Sequence, residues 1–241
     1  MKIIASIASR MSSTRLPGKV LMQIKGKPVL ELMLERLRRS RLIDGIIVAT
    51  TLNQADQAIV ELCQKLKVNY YRGSEEDVLQ RILEAQQSAE SDLVVELTGD
   101  CPLIDPELID QCIEFYLNHD YVYVSNCAER SYPDGMDVQV FSTKALEEVA
   151  AKTRDPLDRE HVGKYFYTSG NYRIHTLRAE GEFFWPDLGI TLDMKEDFEL
   201  IKIIFEHFQD NNFNLGDILK FLRQNQHLLE INRQVARKGL S

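Results

Sequence analysis

The sequence predicts an α/β protein whose mostly parallel sheet is flanked by helices on both faces. From Lys2 to about Val124, short apolar runs rich in β-branched residues alternate with segments of helical periodicity. Strict alternation of strand and helix implies right-handed crossovers between parallel strands. A chain of 241 residues, 44% hydrophobic and 27% charged, is large enough for one sizeable core.

The first half of the chain is predicted to hold five strands and four helices. Strands are expected over 3–8, 45–50, 68–71, 92–97 and 121–124, and helices over 28–40, 55–66, 77–89 and 106–119. Pro28 and Pro106 suit the first turn of a helix, and Asp105 is a predicted N-cap.

The alternation ends after Ser125. We expect a polar loop over 126–134, a strand over 138–141, helices over 142–152 and 158–169, and a strand over 172–177, followed by the aromatic cluster Phe183 to Trp185. This pattern is typical of an inserted lobe or an arm used for oligomerisation. Helices over 195–208 and 215–225 and a polar tail to Ser241 complete a single predicted domain over 1–241.

The loop that follows the first strand is strongly basic. Residues 1–27 contain six Lys and Arg and no acidic residue, although the net charge of the chain is −8. Arg10, Arg15 and Lys19 lie among Ser, Thr, Pro and Gly, without neighbouring carboxylates. A solvated loop is the alternative, but this spacing favours a site where the three cations bind phosphates.

The composition and the absence of two common motifs limit the classes of ligand that the basic loop could bind. The loop has neither the G-x-x-x-x-G-K-[ST] nor the G-x-G-x-x-G pattern, which disfavours ATPases and Rossmann dehydrogenases. The acidic balance disfavours a nucleic-acid partner, so the phosphate ligand should be small.

Two Asp residues follow apolar runs at predicted strand ends. Asp100 comes after the run ending at Leu97, and Asp193 ends the stretch 189–193. Ligands of open α/β sheets bind beyond the carboxyl ends of the strands, so Asp100 is expected in the same crevice as the basic loop. A carboxylate beside a triphosphate is typical of a Mg²⁺ site, whereas the alternatives are a turn residue at Asp100 and a helix cap at Asp193.

Cysteine usage and hydropathy suggest the compartment. The four Cys form no C-x-x-C pair, and no run of about 18 apolar residues is present. We therefore expect reduced thiols, a cytoplasmic protein and no membrane insertion.

The stretch from Ala8 to Leu21, followed by residues 24–28, resembles the signature of the sugar-acid cytidylyltransferases. It is most similar to the spore-coat-polysaccharide type and more distantly to CMP-Kdo and CMP-sialic acid synthetases; residues 99–104 and 191–193 match as well. The resemblance implies a Rossmann-like nucleotidyltransferase fold with an inserted dimerisation arm. It also implies a homodimer that converts CTP and an ulosonic or nonulosonic acid to a CMP-sugar and pyrophosphate, for surface polysaccharide biosynthesis.

The same resemblance assigns roles along the chain. Residues 1–125 would be the nucleotide-binding half, about 126–190 the sugar-binding and dimerisation arm, and 191–241 the closing helices. The implied nucleotide-binding residues are Ala8, Arg10, Ser13, Arg15, Lys19, Ala49, Thr50 and Thr98, with Arg10, Lys19 and Asp100 catalytic. Asp100 and Asp193 would hold Mg²⁺, and Asp134, Gly135 and Arg159 would bind the sugar.

The chain departs from the CMP-Kdo synthetases in one place. Those enzymes carry an Asp-Arg pair near the base in the loop after the third strand, whereas residues 74–78 here contain no Arg, and Arg72 and Arg81 are the nearest. Arg130 is a further candidate partner for an acceptor carboxylate, and His161 is the one His expected near a site.

Other functions fit part of the pattern. A nucleotidyltransferase for another acceptor, such as a sugar phosphate, would use the same phosphate loop. A glycosyltransferase would usually carry an Asp-x-Asp pair, which the sequence 100–102 lacks. A nucleotide-binding protein without turnover would not require both candidate metal carboxylates.

Overall fold

The computed structural model describes residues 1–237 and contains a seven-stranded sheet flanked by helices. The strands are β1 (Ile3–Ala8), β2 (Gln23–Ile24), β3 (Lys27–Pro28), β4 (Gly45–Thr51), β5 (Asn69–Gly73), β6 (Leu93–Thr98), β7 (Tyr123–Ser125), β8 (Gln139–Ser142) and β9 (Ile174–Thr176). The α-helices are α1 (Val29–Leu37), α2 (Gln57–Leu66), α3 (Val78–Ser88), α4 (Pro106–Asn118), α5 (Thr143–Lys152), α6 (Pro156–Glu160), α7 (Lys164–Thr168), α8 (Lys195–His207) and α9 (Leu215–Gln224). Short 3₁₀ turns span Lys19–Leu21, Gln54–Asp56, Gly181–Phe183 and Gln226–Glu230.

The strand order is β5-β4-β1-β6-β8-β7-β9, and β8 alone runs antiparallel to its neighbours. This arrangement confirms the predicted mostly parallel α/β fold. The parallel strands β1, β4 and β6 end side by side, so the loops that follow them share one edge of the sheet.

Apolar residues cover both faces of the sheet. Ile3, Ala5 and Ile7 of β1 pack in the larger cluster, which includes residues of α1, α2, α4, α8 and α9. Ile4 packs on the opposite face with residues of α3, α5 and α7. A strand buried on both faces has a nearly continuous apolar sequence, as β1 does.

The second half of the chain is part of this sheet. β8 lies between β6 and β7, and β9 extends the edge beyond β7, so residues 126–190 do not form a lobe separate from the sheet. The predicted helix over 158–169 is wrong, because Gly163 and its neighbours separate α6 from α7. The small β2–β3 hairpin was not predicted.

Capping residues fix several helix starts. Asp105 accepts a hydrogen bond of 2.8 Å from the Glu107 amide, which confirms its predicted N-cap role. Asp77 caps α3 through the Gln80 amide at 2.9 Å. Within residues 1–237 no helix has the length and apolarity needed to cross a membrane.

Candidate active site

The basic loop over residues 9–19 folds back on itself at the carboxyl end of β1. The Gly18 amide donates to the Met11 carbonyl at 2.9 Å, and the Ser9 amide donates to the Ala49 carbonyl at 3.1 Å. Gly18 has a φ of 72°, a left-handed conformation that glycine adopts at little cost. The loop is therefore a closed turn that presents its side chains toward the sheet edge.

Asp56 anchors this loop from the neighbouring strand-to-helix connection. Its Oδ1 accepts from the Met11 amide at 2.7 Å, and its Oδ2 accepts from the amide and hydroxyl of Thr51. The side chain is almost completely buried. Sequence reasoning missed Asp56, because an acidic residue before a helix looks like an ordinary cap.

Lys19 connects the two candidate metal carboxylates. Its Nζ lies 2.8 Å from Asp100 Oδ2 and 3.0 Å from Asp193 Oδ1, and Arg15 Nη2 lies 2.8 Å from Asp193 Oδ2. Burial disfavours the Lys19 ammonium, yet the two carboxylates outweigh burial and raise its pKa. Burial acts likewise against the Asp100 carboxylate, but Lys19 lowers the net pKa of Asp100, so the group stays ionised.

Backbone contacts bring Asp193 to Asp100 from 93 positions along the chain. The Leu192 amide donates to the Asp100 carbonyl at 2.7 Å. Asp197, rather than Asp193, accepts from the amides at the start of α8, at 3.1 Å from Asp193 N and 2.9 Å from Met194 N. The helix-cap alternative for Asp193 is therefore wrong.

The donor set suits a hard divalent cation. The carboxylates of Asp100 and Asp193 surround the Lys19 ammonium, so a cationic group already lies between them. Carboxylate oxygens are ligands that Mg²⁺ prefers. No group of three or more His, Cys, Asp or Glu side chains converges on a metal position in residues 1–237. Two protein carboxylates completed by phosphate and water oxygens match the way Mg²⁺ is usually held.

A second polar cluster lies at the other end of the basic loop. Glu75 accepts hydrogen bonds from Ser12 and Asn53 and lies 3.5 Å from Arg10 Nη1. These hydrogen bonds, followed by the charge of Arg10, lower the pKa of Glu75. Arg81 of α3 donates to the Ser74 and Glu75 carbonyls. It lines the cavity, whereas Arg72, the other Arg near residues 74–78, does not.

A cavity of about 310 Å³ is lined by the three cations of the basic loop and by the Asp100–Asp193 pair. Other lining residues come from β6, from β8 and the segment before it, and from α7 and the α6–α7 connection; they include Glu96, Asp137, Gln139, His161, Lys164 and Tyr167.

Comparison with known proteins decides the family. Residues 4–230 match the cytidylyltransferase family. The chain is a member of the cytidylyltransferase family.

Individual relatives agree with this assignment. The spore coat polysaccharide biosynthesis protein SpsF of Bacillus subtilis is 30% identical over 232 residues, which cover 92% of this chain and 95% of that protein. The 3-deoxy-manno-octulosonate cytidylyltransferase of Pelobacter propionicus is 36% identical over 116 residues, 47% of this chain and 44% of that enzyme. A cytidylyltransferase structure from Leptospira borgpetersenii superposes with a TM-score of 0.92 at 31% identity, covering 99% of this chain and 100% of that one.

The protein is thus a cytidylyltransferase enzyme, which sets aside the glycosyltransferase and binding-protein alternatives. Most of the predicted nucleotide and metal residues lie together in this cytidylyltransferase. The cavity lining includes Ala8, Arg10, Ser13, Arg15, Lys19, Thr98, Asp100 and Asp193.

Other predicted residues lie outside the cavity lining. Ala49 and Thr50 are fully buried within β4, which continues to Thr51. Arg159 donates to Asp77 and to the Ala150 carbonyl, so it joins α6 to α3 and α5. Asp134 and Gly135 pack against residues 188–191 instead of facing the cavity.

Three acidic groups on β6 and in the segment before β8 have raised pKa values. Burial raises the pKa of Glu96 to about 7 and that of Asp134 to about 6. Burial also raises the pKa of Asp137, although Arg130 donates to both of its oxygens at 3.1 Å. Sequence reasoning missed Glu96, for which a signal existed: it is the one charged residue inside the apolar run 93–97.

Proposed function

We propose that this cytidylyltransferase transfers a cytidylyl group from CTP to a carboxylated sugar, an ulosonic or nonulosonic acid, releasing pyrophosphate. The CMP-sugar would serve surface polysaccharide biosynthesis. The observation that carries the proposal is the cation-rich loop beside the Asp100–Asp193 carboxylate pair in a single cavity. The name of the relative from Pelobacter propionicus supports a sugar acid as the acceptor, and the name of the relative from Bacillus subtilis supports a role in polysaccharide biosynthesis.

The chain's own cations would bind the triphosphate. Arg10, Arg15 and Lys19 supply the charge, and the Ser13 hydroxyl supplies a neutral donor. These groups stabilise the negative charge on the equatorial and leaving oxygens during in-line attack on the α-phosphate. They are prearranged, because Asp56 and Gly18 hold the loop before any ligand arrives.

Mg²⁺ would be held by Asp100 and Asp193. When bound, the ion neutralises phosphate charge and orients the triphosphate for displacement of pyrophosphate. Lys19 then exchanges its carboxylate contacts for phosphate oxygens. Arg15, 2.8 Å from Asp193, keeps that carboxylate oriented.

The acceptor carboxylate needs a cation that is not already engaged. Arg130 is paired with Asp134 and Asp137, and Arg159 with Asp77. Lys164 at the start of α7 lines the cavity, and no carboxylate of residues 1–237 pairs with its ammonium. Lys164 is therefore our proposed partner for the acceptor carboxylate, in place of Arg159.

A homodimer in the cytoplasm completes the proposal. All four cysteines are buried free thiols, as suits a reducing compartment. The exposed Phe183 and Phe184 are candidate contacts between two copies. Light scattering on the purified chain tests the dimer, and a monomer at micromolar concentration contradicts it.

A pyrophosphate-release assay tests the reaction. Four NTPs are combined with Mg²⁺ and an acceptor panel of 3-deoxy-manno-octulosonate, N-acetylneuraminate and sugar 1-phosphates. We expect release with CTP and a sugar acid only, and its loss when the acceptor carboxylate is reduced to an alcohol. Turnover of sugar 1-phosphates with inert sugar acids would contradict the acceptor class and leave nucleotidyl transfer intact.

The variant Lys164→Ala tests the acceptor contact. It should raise KM for the sugar acid without changing KM for CTP. Lys144→Ala, an exposed lysine on α5, is the matched control.

A further inference from the structure

Glu96 is a carboxylate in the middle of the central sheet. It lies on β6 between apolar neighbours, its side chain is 3% exposed, and it lines the active-site cavity. No Lys or Arg of residues 1–237 pairs with it. A buried carboxylate without a cation costs stability, so a purely structural role does not account for it.

The register of the sheet places Glu96 in a row of polar residues that crosses the neighbouring strands. Its partner on β1 is Ser6, its partner on β8 is Gln139, and Gln139 in turn lies opposite Ser125 on β7. Residues opposite one another share a face, and residues two apart on one strand do so as well. Glu96 therefore points to the same side as Thr98, the side on which the cavity lies.

A chain of hydrogen bonds fixes the orientation of the Glu96 carboxylate. The Tyr123 hydroxyl donates to Gln139 Oε1 at 2.7 Å, which leaves the Gln139 amide NH₂ to donate to Glu96 Oε2. Gly163 packs directly against the Gln139 side chain, because a Cβ at this position would lie 1.7 Å from Gln139 Oε1. This arrangement holds one carboxylate oxygen as an acceptor inside the cavity.

We propose that Glu96 is a catalytic residue that accepts the proton of the attacking acceptor hydroxyl; this inference rests on the proposed function. The hydroxyl oxygen forms a bond to the α-phosphorus of CTP. The bond from that phosphorus to the α–β bridging oxygen breaks, and its electron pair leaves with pyrophosphate. The hydroxyl proton moves to the Glu96 carboxylate and is afterwards released to water.

The position in the cavity supports this role. Glu96 and Asp137 line the same cavity as the phosphate-loop cations and the Asp100–Asp193 pair, so both are candidates to meet an acceptor bound beside the triphosphate. Asp137 is less suited as a proton acceptor because Arg130 donates to both of its oxygens. Burial raises the pKa of Glu96, and a raised pKa suits a general base that works near neutral pH.

The variant Glu96→Gln tests the proposal, since it keeps the shape of the side chain and an oxygen for the Gln139 amide. We expect kcat with CTP, Mg²⁺ and 3-deoxy-manno-octulosonate to fall by about 10²- to 10⁴-fold, as for loss of a general base. KM for CTP and the Mg²⁺ concentration for half-maximal activity should change less than about threefold. The loss of a charged contact to CTP or Mg²⁺ would have a larger effect. Glu199→Gln, an exposed acid on α8, is the matched control.

The pH profile separates a catalytic role from a structural one. The wild-type kcat should lose activity below neutral pH with a slope of one, and Glu96→Gln should lack this limb. The charged or titratable groups that interact with Glu96 or line the cavity beside it include Asp100, Asp137, Tyr123, Cys127, His161, Lys164 and Tyr167, and all of them are intact in the variant. A kcat near that of the wild type, or an altered Mg²⁺ requirement, overturns the proposal.

Hydrolysis of CTP without any sugar gives a readout independent of the acceptor. Water then takes the place of the acceptor hydroxyl, and its proton goes to the same carboxylate. If no sugar acid accelerates CTP consumption by the wild type, the sugar-acid proposal fails. The ratio of hydrolysis rates of wild type and Glu96→Gln still decides the role of Glu96: a ratio above about ten supports it, and equal rates overturn it.

Discussion

Lys19 has two roles, one in ligand binding and one in stability, that a single substitution cannot separate. It is a candidate phosphate ligand, and it also neutralises Asp100 and Asp193, with its side chain almost fully buried. Removing it would leave the partly buried Asp100 without a cation and Asp193 with Arg15 alone, which is strongly destabilising. Lys19→Ala is therefore a poor test of ligand binding. An exposed loop lysine could be replaced without such a loss of stability, but Lys19 is buried.

Arg15 offers the cleaner test of the phosphate loop. It is about one-third exposed and pairs with Asp193. Arg15→Ala should weaken CTP binding by about 1.5–3 kcal/mol, the range for a lost charge-assisted contact, with little change in melting temperature. Calorimetric titration measures the effect, and Arg173→Ala, which removes a surface pair with Asp120, is the control. Equal CTP affinity in both variants would contradict the assignment.

The carboxylate pair can be tested by neutral replacements of the same shape. Asp100→Asn and Asp193→Asn should each abolish Mg²⁺-dependent turnover, because an amide lacks the charge that holds a hard cation. Asp187→Asn, in the exposed turn that precedes the Asp193 segment, should remain active. Turnover assays over a range of Mg²⁺ concentrations provide the measurement. A normal rate in either site variant would leave that residue with a structural role only.

At the scale of elements, the second half of the chain supplies Asp193 through close backbone packing. The Asp134 amide donates to the Leu188 carbonyl at 2.9 Å, and the Ile190 amide donates to the Asp134 carbonyl at 2.8 Å. Gly135, with a φ of 107°, allows this approach, because a Cβ there would lie 2.6 Å from the Thr191 amide nitrogen. Gly135 therefore positions the segment that carries the candidate metal ligand Asp193, and its predicted contact with the sugar stays a prediction.

Gly135→Ala should destabilise the protein by more than about 2 kcal/mol, since both backbone strain and overlap contribute. Gly170→Ala is the matched control: its φ is also positive, at 69°, but nothing lies within 4 Å of an added Cβ. It should cost only about 1 kcal/mol. Urea denaturation of the two variants measures the difference. Equal losses would show that the contact with residues 190–191 contributes nothing.

At the scale of the whole molecule, α8 connects the end of the described chain to the site. Asp197 is fully buried; it accepts from the Asp193 amide and also pairs with Arg237 at 2.8 Å. Arg237→Ala should lower both stability and Mg²⁺-dependent turnover, because it leaves a buried carboxylate with fewer partners. Arg233→Ala, which removes only an exposed pair with Glu230, should change neither. Thermal unfolding and initial rates for the two variants provide the test.

Stability should also depend on pH in a direction set by the buried acids. Burial raises the pKa of Glu96 from 4.5 to about 7, so the folded protein binds this proton more tightly than the unfolded chain. The stabilisation of the folded state by this proton is therefore fully present below about pH 4.5 and is lost as the pH rises toward 7. Glu96→Gln removes it, so the variant's stability relative to wild type should increase from pH 5 to pH 8 by up to about 3 kcal/mol. Denaturant titrations at the two pH values measure this, and parallel pH dependences would contradict it.

The sequence by itself determined the fold class, and it predicted a phosphate-binding loop and two candidate metal carboxylates. These features depend on local patterns: strand and helix periodicity, a basic segment without acids, and Asp residues that follow apolar runs. Parallel strands bring such loops to one edge without further information. For that reason Arg10, Arg15, Lys19, Asp100 and Asp193 were predicted together and lie together.

Only the tertiary structure decided which side chains remain available to a ligand. Arg159 is engaged by Asp77, whereas Lys164 lines the cavity, and no local pattern distinguishes these two cations. The partners of Glu96 come from β8 and β7, and Asp56 reaches the basic loop across 45 positions. Such contacts join residues distant in sequence, so their energies depend on packing and strand register, which periodicity along one chain segment does not encode.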